Sequence, residues 1–321
     1  MTGAAGFIGS HLTEALLGLG QRVIGFDNFA TGKRENLDAV ERALPADRFA
    51  GFRLIEADVR DFAACKSACA GVDYVLHQAA LGSVPRSIAR PLDTHAVNVD
   101  GTLNVFMAAL EQRVQRVVYA SSSSVYGDEP GLPKTEGRTG RPLSPYAASK
   151  HMGEVYASVL GLTHDLFAVG LRYFNVIGSR QDPEGPYAAV VPRWVAEIAR
   201  GQRPQIFGDG ETSRDFCPVQ NVVQANLLAA CAAGDLEGRV YNVALGSRTT
   251  LNELAQILLR GMESRGFPCR GLEPDHREFR AGDVRHSLAD IAAAQRDLGY
   301  APSCGLAEGL ARVMDHFARR R

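Results

Sequence analysis

Runs of five or six residues, apolar through their centres, recur along the first half of the chain at 22–27, 53–58, 74–78, 116–121 and 167–172. Each is short and nearly continuous, the pattern of a strand buried on both faces. Between them, apolar positions recur at helical spacing over 9–19, 61–70, 98–112 and 145–161. This β-α-β-α order predicts an α/β fold: a doubly wound parallel sheet, covered by helices on both faces, with its site at the strand ends. After Asn175 the rhythm breaks into loops rich in Gly, Pro and charge at 178–186, 208–215 and 264–285, separated by helical stretches at 190–200, 219–233 and 250–263. We read 1–175 as one domain and 176–321 as a smaller α+β domain facing the substrate, with parts of 215–247 returning to the first.

Composition narrows the function classes. The 321 residues suffice for two domains, and 45% apolar with 22% charged residues describes an ordinary globular chain. Lys and Arg number 35 against 36 Asp and Glu, a net charge of −1, so no global field draws the chain to nucleic acid or to an anionic membrane. No apolar run nears the roughly 18 residues of a membrane span, and no charged-then-apolar leader opens the chain, so a soluble cytoplasmic protein is expected. The six Cys are scattered without a CxxC pair and the eight His lack ligand spacing, so no metal site is expected.

Gly3, Gly6 and Gly9 form a GxxGxxG run that leads straight into an amphipathic helix. Glycines allow a tight turn and let a phosphate approach bare backbone N–H groups at a helix N-terminus, where the dipole also favours negative charge. Asp27 falls 24 residues after Gly3, at the end of the next strand, where a carboxylate can accept from ribose hydroxyls and would repel a 2′-phosphate. The pair predicts a Rossmann-type site for NAD rather than NADP. One element is short, because only Met1 and Thr2 precede the turn where about five apolar residues are expected. We therefore expect the central strand to be missing, neighbouring backbone groups to be left unpaired at about 1–3 kcal/mol each, and the natural protein to start several residues upstream.

Four serines, 121–124, end a predicted strand, and Tyr146 and Lys150 stand one helical turn apart, 24 residues beyond Ser122. A Tyr is a poor base at neutral pH, but an adjacent ammonium and a cationic nicotinamide favour its phenolate. Tyr146 is thus the candidate proton acceptor, Lys150 its electrostatic partner, and Ser122 a hydroxyl that can bond the same substrate oxygen.

In that order, the glycine run, strand-end Asp27, Ser-Ser-Ser before Val125-Tyr126-Gly127, Tyr146-x-x-x-Lys150 and 171–175 resemble an extended short-chain dehydrogenase/reductase of the NAD-dependent epimerase/dehydratase family. Within it, the strings at 77–87, 180–183, 187–190, 208–216, 248–253 and 277–287 are similar to bacterial UDP-N-acetylglucosamine 4-epimerases. The resemblance implies that Gly3, Gly6, Phe7, Ile8 and Gly9 hold the NAD pyrophosphate, Asp27, Asn28, Thr31 and Gly32 the adenosine ribose, and Asp58 and Val59 the adenine. It implies that Gln78, Ala79, Ala80, Asn98, Tyr146, Lys150, Tyr173 and Phe174 line the cofactor further in. Ser122 falls on the catalytic Ser/Thr, with Ser123 and Ser124 near the sugar. Ser83, Arg86, Asn175, Ala189, Val190, Trp194, Gln205, Phe207, Arg214, Arg248, Arg280 and Asp283 would contact the UDP-sugar. Arg214 and Arg280 also make sense chemically, since a guanidinium suits a diphosphate bidentately. Ser287 aligns with the position that gates sugar size, and a small residue there favours a 2-acetamido sugar, a discrimination of about 1–3 kcal/mol. Pro218 departs from the pattern at a strand-to-helix junction.

The implied reaction is reversible inversion at C4 of UDP-GlcNAc/UDP-GalNAc, with UDP-Glc/UDP-Gal also admissible, through a 4-keto sugar, by a homodimer joined through the helices at 98–112 and 145–161. A 4,6-dehydratase or decarboxylase is the nearest rival, although a dehydratase needs an Asp-Glu pair where Ser123-Ser124 stand. A UDP-uronic acid 4-epimerase stays open. So does a non-catalytic NAD-sensing module, which would have no need to keep Ser122, Tyr146 and Lys150 together.

Overall fold

The structure is a computed structural model and describes residues 1–184, 188–234, 236–279 and 285–319. Its main sheet contains β1 (Val23–Asp27), β2 (Phe52–Glu56), β3 (Tyr74–His77), β4 (Arg116–Ser122), β5 (Ala168–Tyr173) and β6 (Val240–Val243). Every pairing is parallel, in the order β2-β1 and β3-β4-β5-β6. The strands fall where the apolar runs predict them. β5 is buried at every position, as a central strand covered on both faces must be.

Two residues join the halves of this sheet. Thr2 makes parallel bridges to Phe26 of β1 and His77 of β3, and the Met1 and Thr2 carbonyls accept from Phe26 and Gln78 N–H. The expectation of a missing central strand is met only in part: the strand is two residues long, but the strand order carries across it. The Thr2 hydroxyl accepts from the N–H groups of Gln78 and Ala79, so its own proton goes to His77 Nδ1 at 2.7 Å. His77 Nε2–H then donates to the Thr102 hydroxyl at 3.0 Å, which donates to the Asn98 carbonyl. This one-way chain fixes a neutral imidazole, and burial holds its pKa down at about 3. Below Thr2 the facing edges of β1 and β3 border a cavity of about 800 Å³ whose wall includes Val23, Ile24, Tyr74, Val75, Cys65 and Cys69. The Met1 amine reaches into it to bond the Ile24 carbonyl at 2.8 Å, and desolvation lowers its pKa to about 6.

Helices α1 (Phe7–Gly18), α2 (Pro145–His164) and α3 (Val219–Cys231) position the site. α2 lies against β4 and β5, while α3 packs on α1 and β4. Pro218 is the N-cap of α3 at φ −56°, where a residue without an N–H loses nothing, so the departure noted at this junction is accommodated. A second core, built from residues such as Trp194, Ile198, Leu254, Leu258, Leu310 and Met314, belongs to Val190–Ala199, Leu251–Glu263 and Leu306–Ala318. The division at 175 is crossed repeatedly. α3 and β6 rejoin the first core, and so do Ala294, Leu298 and Tyr300, which lie beyond the 215–247 segment expected to return.

The space between β1 and β3 is bordered largely by apolar side chains, and filling apolar space adds packing. Five strand-forming apolar residues fused ahead of Met1 should raise the thermal unfolding midpoint by about 5 °C or more, whereas a Gly/Ser extension of equal length should not. Equal midpoints for the two fusions would show that the space is not a strand position.

Candidate active site

The chain leaves Thr2 through Gly3 at φ +65° and enters α1 immediately after Gly6. A Cβ on Gly3 would stand 2.8 Å from the Ala79 nitrogen, and one on Gly9 only 1.9 Å from the Gly3 carbonyl oxygen. These glycines let the turn, the helix and the end of β3 touch without side chains between them. Over this junction opens a cavity of about 310 Å³. Its wall takes in Gly3, Gly6, Phe7, Ile8, Gly9, Asp27, Asn28, Thr31, Gly32, Val59, Gln78, Ala79, Ala80, Tyr146, Lys150 and Tyr173. Asp27 is buried and accepts from Ala5 N–H and Phe29 N–H, both at 2.8 Å. Two hydrogen bonds leave a carboxylate about two further acceptor sites, so the residues present fit a dinucleotide: amides at the α1 N-terminus for phosphates, Asp27 for ribose hydroxyls.

Three residues expected at the cofactor, Asp58, Asn98 and Phe174, are not among those that line this cavity. Asp58 is engaged by Arg60 at 2.7 Å and by the Asn28 amide at 2.7 Å, and the Arg60 hydrogen bonds hold its pKa down at about 2. Asn98 orients Leu81, accepting from its N–H and donating to its carbonyl. Phe174 is fully buried against Tyr126, so its ring belongs to a small core cluster. Tyr173 closes a ring of side chains: its hydroxyl donates to Gln78 Oε1 at 3.1 Å and accepts from Asn226 Nδ2 at 2.8 Å, while Gln78 Nε2 donates to Asn226 Oδ1.

At the far end, α2 starts at Ser144, whose hydroxyl accepts from Ala147 N–H, with Pro145 in the first helical position. One turn of helix then presents Tyr146 and Lys150 to the end of β4. Lys150 is buried and donates to the Ala120 carbonyl at 2.8 Å. Desolvation lowers its pKa to about 8, with the Glu154 carboxylate acting in the opposite sense. Burial raises the Tyr146 phenol, and a hydrogen bond with Ser122 draws it partly back. Ser122 Oγ in turn accepts from the Ser124 N–H at 3.1 Å and lies 3.0 Å from the Ser124 hydroxyl. Tyr146 and Lys150 therefore stand in the wall of the cavity, and Ser122 reaches it through its hydrogen bond with Tyr146.

The residues expected at the UDP-sugar are more dispersed. Ser83 caps a short helix that carries Arg86, and Ser123 and Ser124 open a 3₁₀ turn after β4. Asn175, at φ +27°, donates to the Asp215 carbonyl. Ala189 and Val190 begin a helix whose Trp194 is not surface-facing: its indole is buried in the second core and donates to the Gln205 carbonyl at 3.2 Å. Gln205 and Phe207 bound a three-residue strand paired with Asp275–Arg277. Arg214 pairs in register with Thr249, next to Arg248, and the Ser287 N–H donates to the Ser213 carbonyl at 3.0 Å. Arg280 and Asp283 lie outside the described residues.

Comparison with known proteins adds an independent observation. The profile of the NAD dependent epimerase/dehydratase family matches residues 1–244. The chain belongs to this family. A UDP-glucose 4-epimerase of Mycolicibacterium smegmatis is 37% identical, with 100% of this chain and 98% of that protein covered. A UDP-N-acetylglucosamine 4-epimerase of Methanobrevibacter ruminantium, solved in complex with UDP-N-acetylmuramic acid, superposes with a TM-score of 0.90 at 38% identity, covering 100% of this chain and 97% of the other. The UDP-glucose 4-epimerase of Thermus thermophilus, solved with NAD, does so with a TM-score of 0.84 at 35% identity over 98% and 97%. The cofactor of this epimerase/dehydratase family member is NAD.

Sequence reasoning passed over a buried group behind the chemistry. Glu154, one turn beyond Lys150 on α2, accepts from the Ser121 hydroxyl at 2.5 Å and from Arg172 Nε and a terminal nitrogen at 2.8 Å each. The i, i+4 spacing of Lys150 and Glu154 was the available signal; nothing local marked Asn226. Gly9 provides the sharpest test of the cofactor end. Gly9→Ala should abolish co-purification of NAD and lower its affinity by at least about 100-fold, since the added carbon displaces backbone rather than a flexible side chain. NAD titration by calorimetry measures this, and wild-type affinity would refute the packing argument.

Proposed function

We propose that this family member catalyses reversible C4 epimerisation of UDP-N-acetylhexosamines, interconverting UDP-GlcNAc and UDP-GalNAc, and admits UDP-Glc/UDP-Gal as secondary substrates. The observation that carries the reading is the pair Tyr146 and Lys150 in the wall of the cavity, with Ser122 hydrogen-bonded to Tyr146 and Ser123 and Ser124 rather than acids beside it. An acid–base pair for elimination is thus absent where a dehydratase would require it. Small hydroxyl side chains near the sugar, together with Ser287, suit a bulky 2-acetamido group, in keeping with the likeness to the UDP-N-acetylglucosamine 4-epimerase of Methanobrevibacter ruminantium.

NAD, when bound, supplies the hydride acceptor and donor for C4 and a ring charge that favours a phenolate. The protein's own residues handle the proton. Tyr146 withdraws the 4-hydroxyl proton, directly or through Ser122, and returns it after the sugar has turned over. Lys150 stabilises the phenolate as an ammonium, a state kept accessible by the Ala120 carbonyl and the Glu154 carboxylate despite burial. Arg214 and Arg248 suit the diphosphate, so the nucleotide stays anchored while the flat 4-keto sugar exposes its other face.

The same reading includes a homodimer. Met152, Val155, Tyr156 and Val159 form an exposed apolar stripe on α2 at i, i+3, i+4 and i+7. Sedimentation equilibrium should give twice the chain mass, and Val155→Glu with Val159→Glu should shift it toward one chain.

Turnover is tested by proton NMR of purified protein with UDP-GlcNAc, UDP-Glc and UDP-GlcUA in separate tubes, without added NAD. UDP-GlcNAc should equilibrate fastest, and Tyr146→Phe should lower kcat by about 10³-fold while NAD stays bound. Near-normal turnover by that variant would reject the role of Tyr146. Equilibration of UDP-GlcUA alone would reassign the substrate.

A further inference from the structure

We infer that Asp215 is the positioning residue of the UDP-sugar site, clipping together the three separate segments that carry Arg214, Arg248 and Ser287; the inference rests on the UDP-sugar reading above. Asp215 has no exposed surface. Its Oδ1 accepts from Leu245 N–H at 3.0 Å, and its Oδ2 accepts from Gly246 N–H at 3.1 Å and Ala289 N–H at 3.3 Å. Among the described residues it makes no ion pair, so backbone amides alone solvate the buried charge.

Those amides come from distant parts of the chain. Leu245 and Gly246 stand at the turn between β6 and Arg248, with Gly246 at φ +72°. Ala289 lies two residues past Ser287. The neighbours of Asp215 complete the arrangement: Arg214 pairs with Thr249, Ser213 bridges His286, and Ser287 N–H bonds the Ser213 carbonyl. Asn175, two residues past the end of β5, donates to the Asp215 carbonyl at 3.1 Å. A single side chain is therefore the hub between the sheet that holds the cofactor and the loops that would grip the nucleotide. Only a carboxylate has acceptor sites for three converging N–H groups. An amide in its place turns one oxygen into a donor, so in either orientation at least one of the three N–H groups loses its acceptor and faces another donor, which weakens the clip. Consistent with this, burial pushes the Asp215 pKa up to about 6 against the pull of its amide donors.

The experiment compares wild type with Asp215→Asn in calorimetric titrations of UDP and in steady-state assays with UDP-GlcNAc. UDP affinity should fall, and KM rise, by at least about tenfold, with kcat at saturation changed less than about threefold and NAD content unchanged, because Tyr146 and the cofactor wall are untouched. Wild-type UDP affinity in the variant would overturn the inference, as would a loss confined to kcat. If wild type binds no UDP, the UDP-sugar reading itself fails; UDP binding by wild type with none of the expected changes sinks only the clip. Amide hydrogen exchange on the unmodified protein tests the clip even where the variant folds poorly. Leu245 and Gly246 should exchange at least about 100-fold more slowly than an open loop, and more slowly still with UDP-GlcNAc; open-loop rates at both would overturn the inference.

Discussion

Keeping an ammonium inside the protein is the constraint around which the centre of this structure is arranged. Lys150 is taken out of water beside the ends of β4 and β5, an environment that on its own would strip its proton. The Ala120 carbonyl and the Glu154 carboxylate counter that tendency, but a buried carboxylate needs partners of its own. Arg172 from β5 supplies a two-pronged ion pair and Ser121 from β4 a hydroxyl. The Arg172 guanidinium is in turn held by the Glu136 carbonyl and lies over the Tyr126 ring. One buried cation is thus joined to a polar network that runs through three secondary-structure elements and ties α2 to β4 and β5.

At the cofactor end the governing constraint is steric. The turn at Gly3 and the first turn of α1 come so close that neither Gly3 nor Gly9 has room for a further carbon, and the Asp27 carboxylate is held in place by the Ala5 and Phe29 N–H groups.

Much of this half was legible in the sequence because its signals are local. Strand-length apolar runs, a glycine spacing, a carboxylate at a strand end and a Tyr–Lys pair one turn apart each lie within a few residues. The family's long strings suggested the remainder. What could not be read is what depends on distant partners. Trp194, which the resemblance implies to contact the UDP-sugar, packs in the second core. Asn226 matters through Gln78 and Tyr173, more than fifty positions away from each, and Asp215 through amides thirty and seventy-four positions on. The short opening of the chain was legible as a gap, whereas its consequence was not: Met1 and Gly3 bond Phe26 of β1 while Thr2 bonds Leu76 and Gln78 at β3, and these few bonds carry the strand order across.

The path of the chain between its two cores has a mechanical corollary. Polypeptide passes from one lobe to the other at 173–176, 216–219, 243–248 and 289–292, and the first three crossings run side by side, with Val176–Ile177 paired to Cys217–Pro218. A connection of several bonded strands resists twisting far more than a single linker does. Rigid-body swinging of the two cores against each other is therefore a stiff coordinate here.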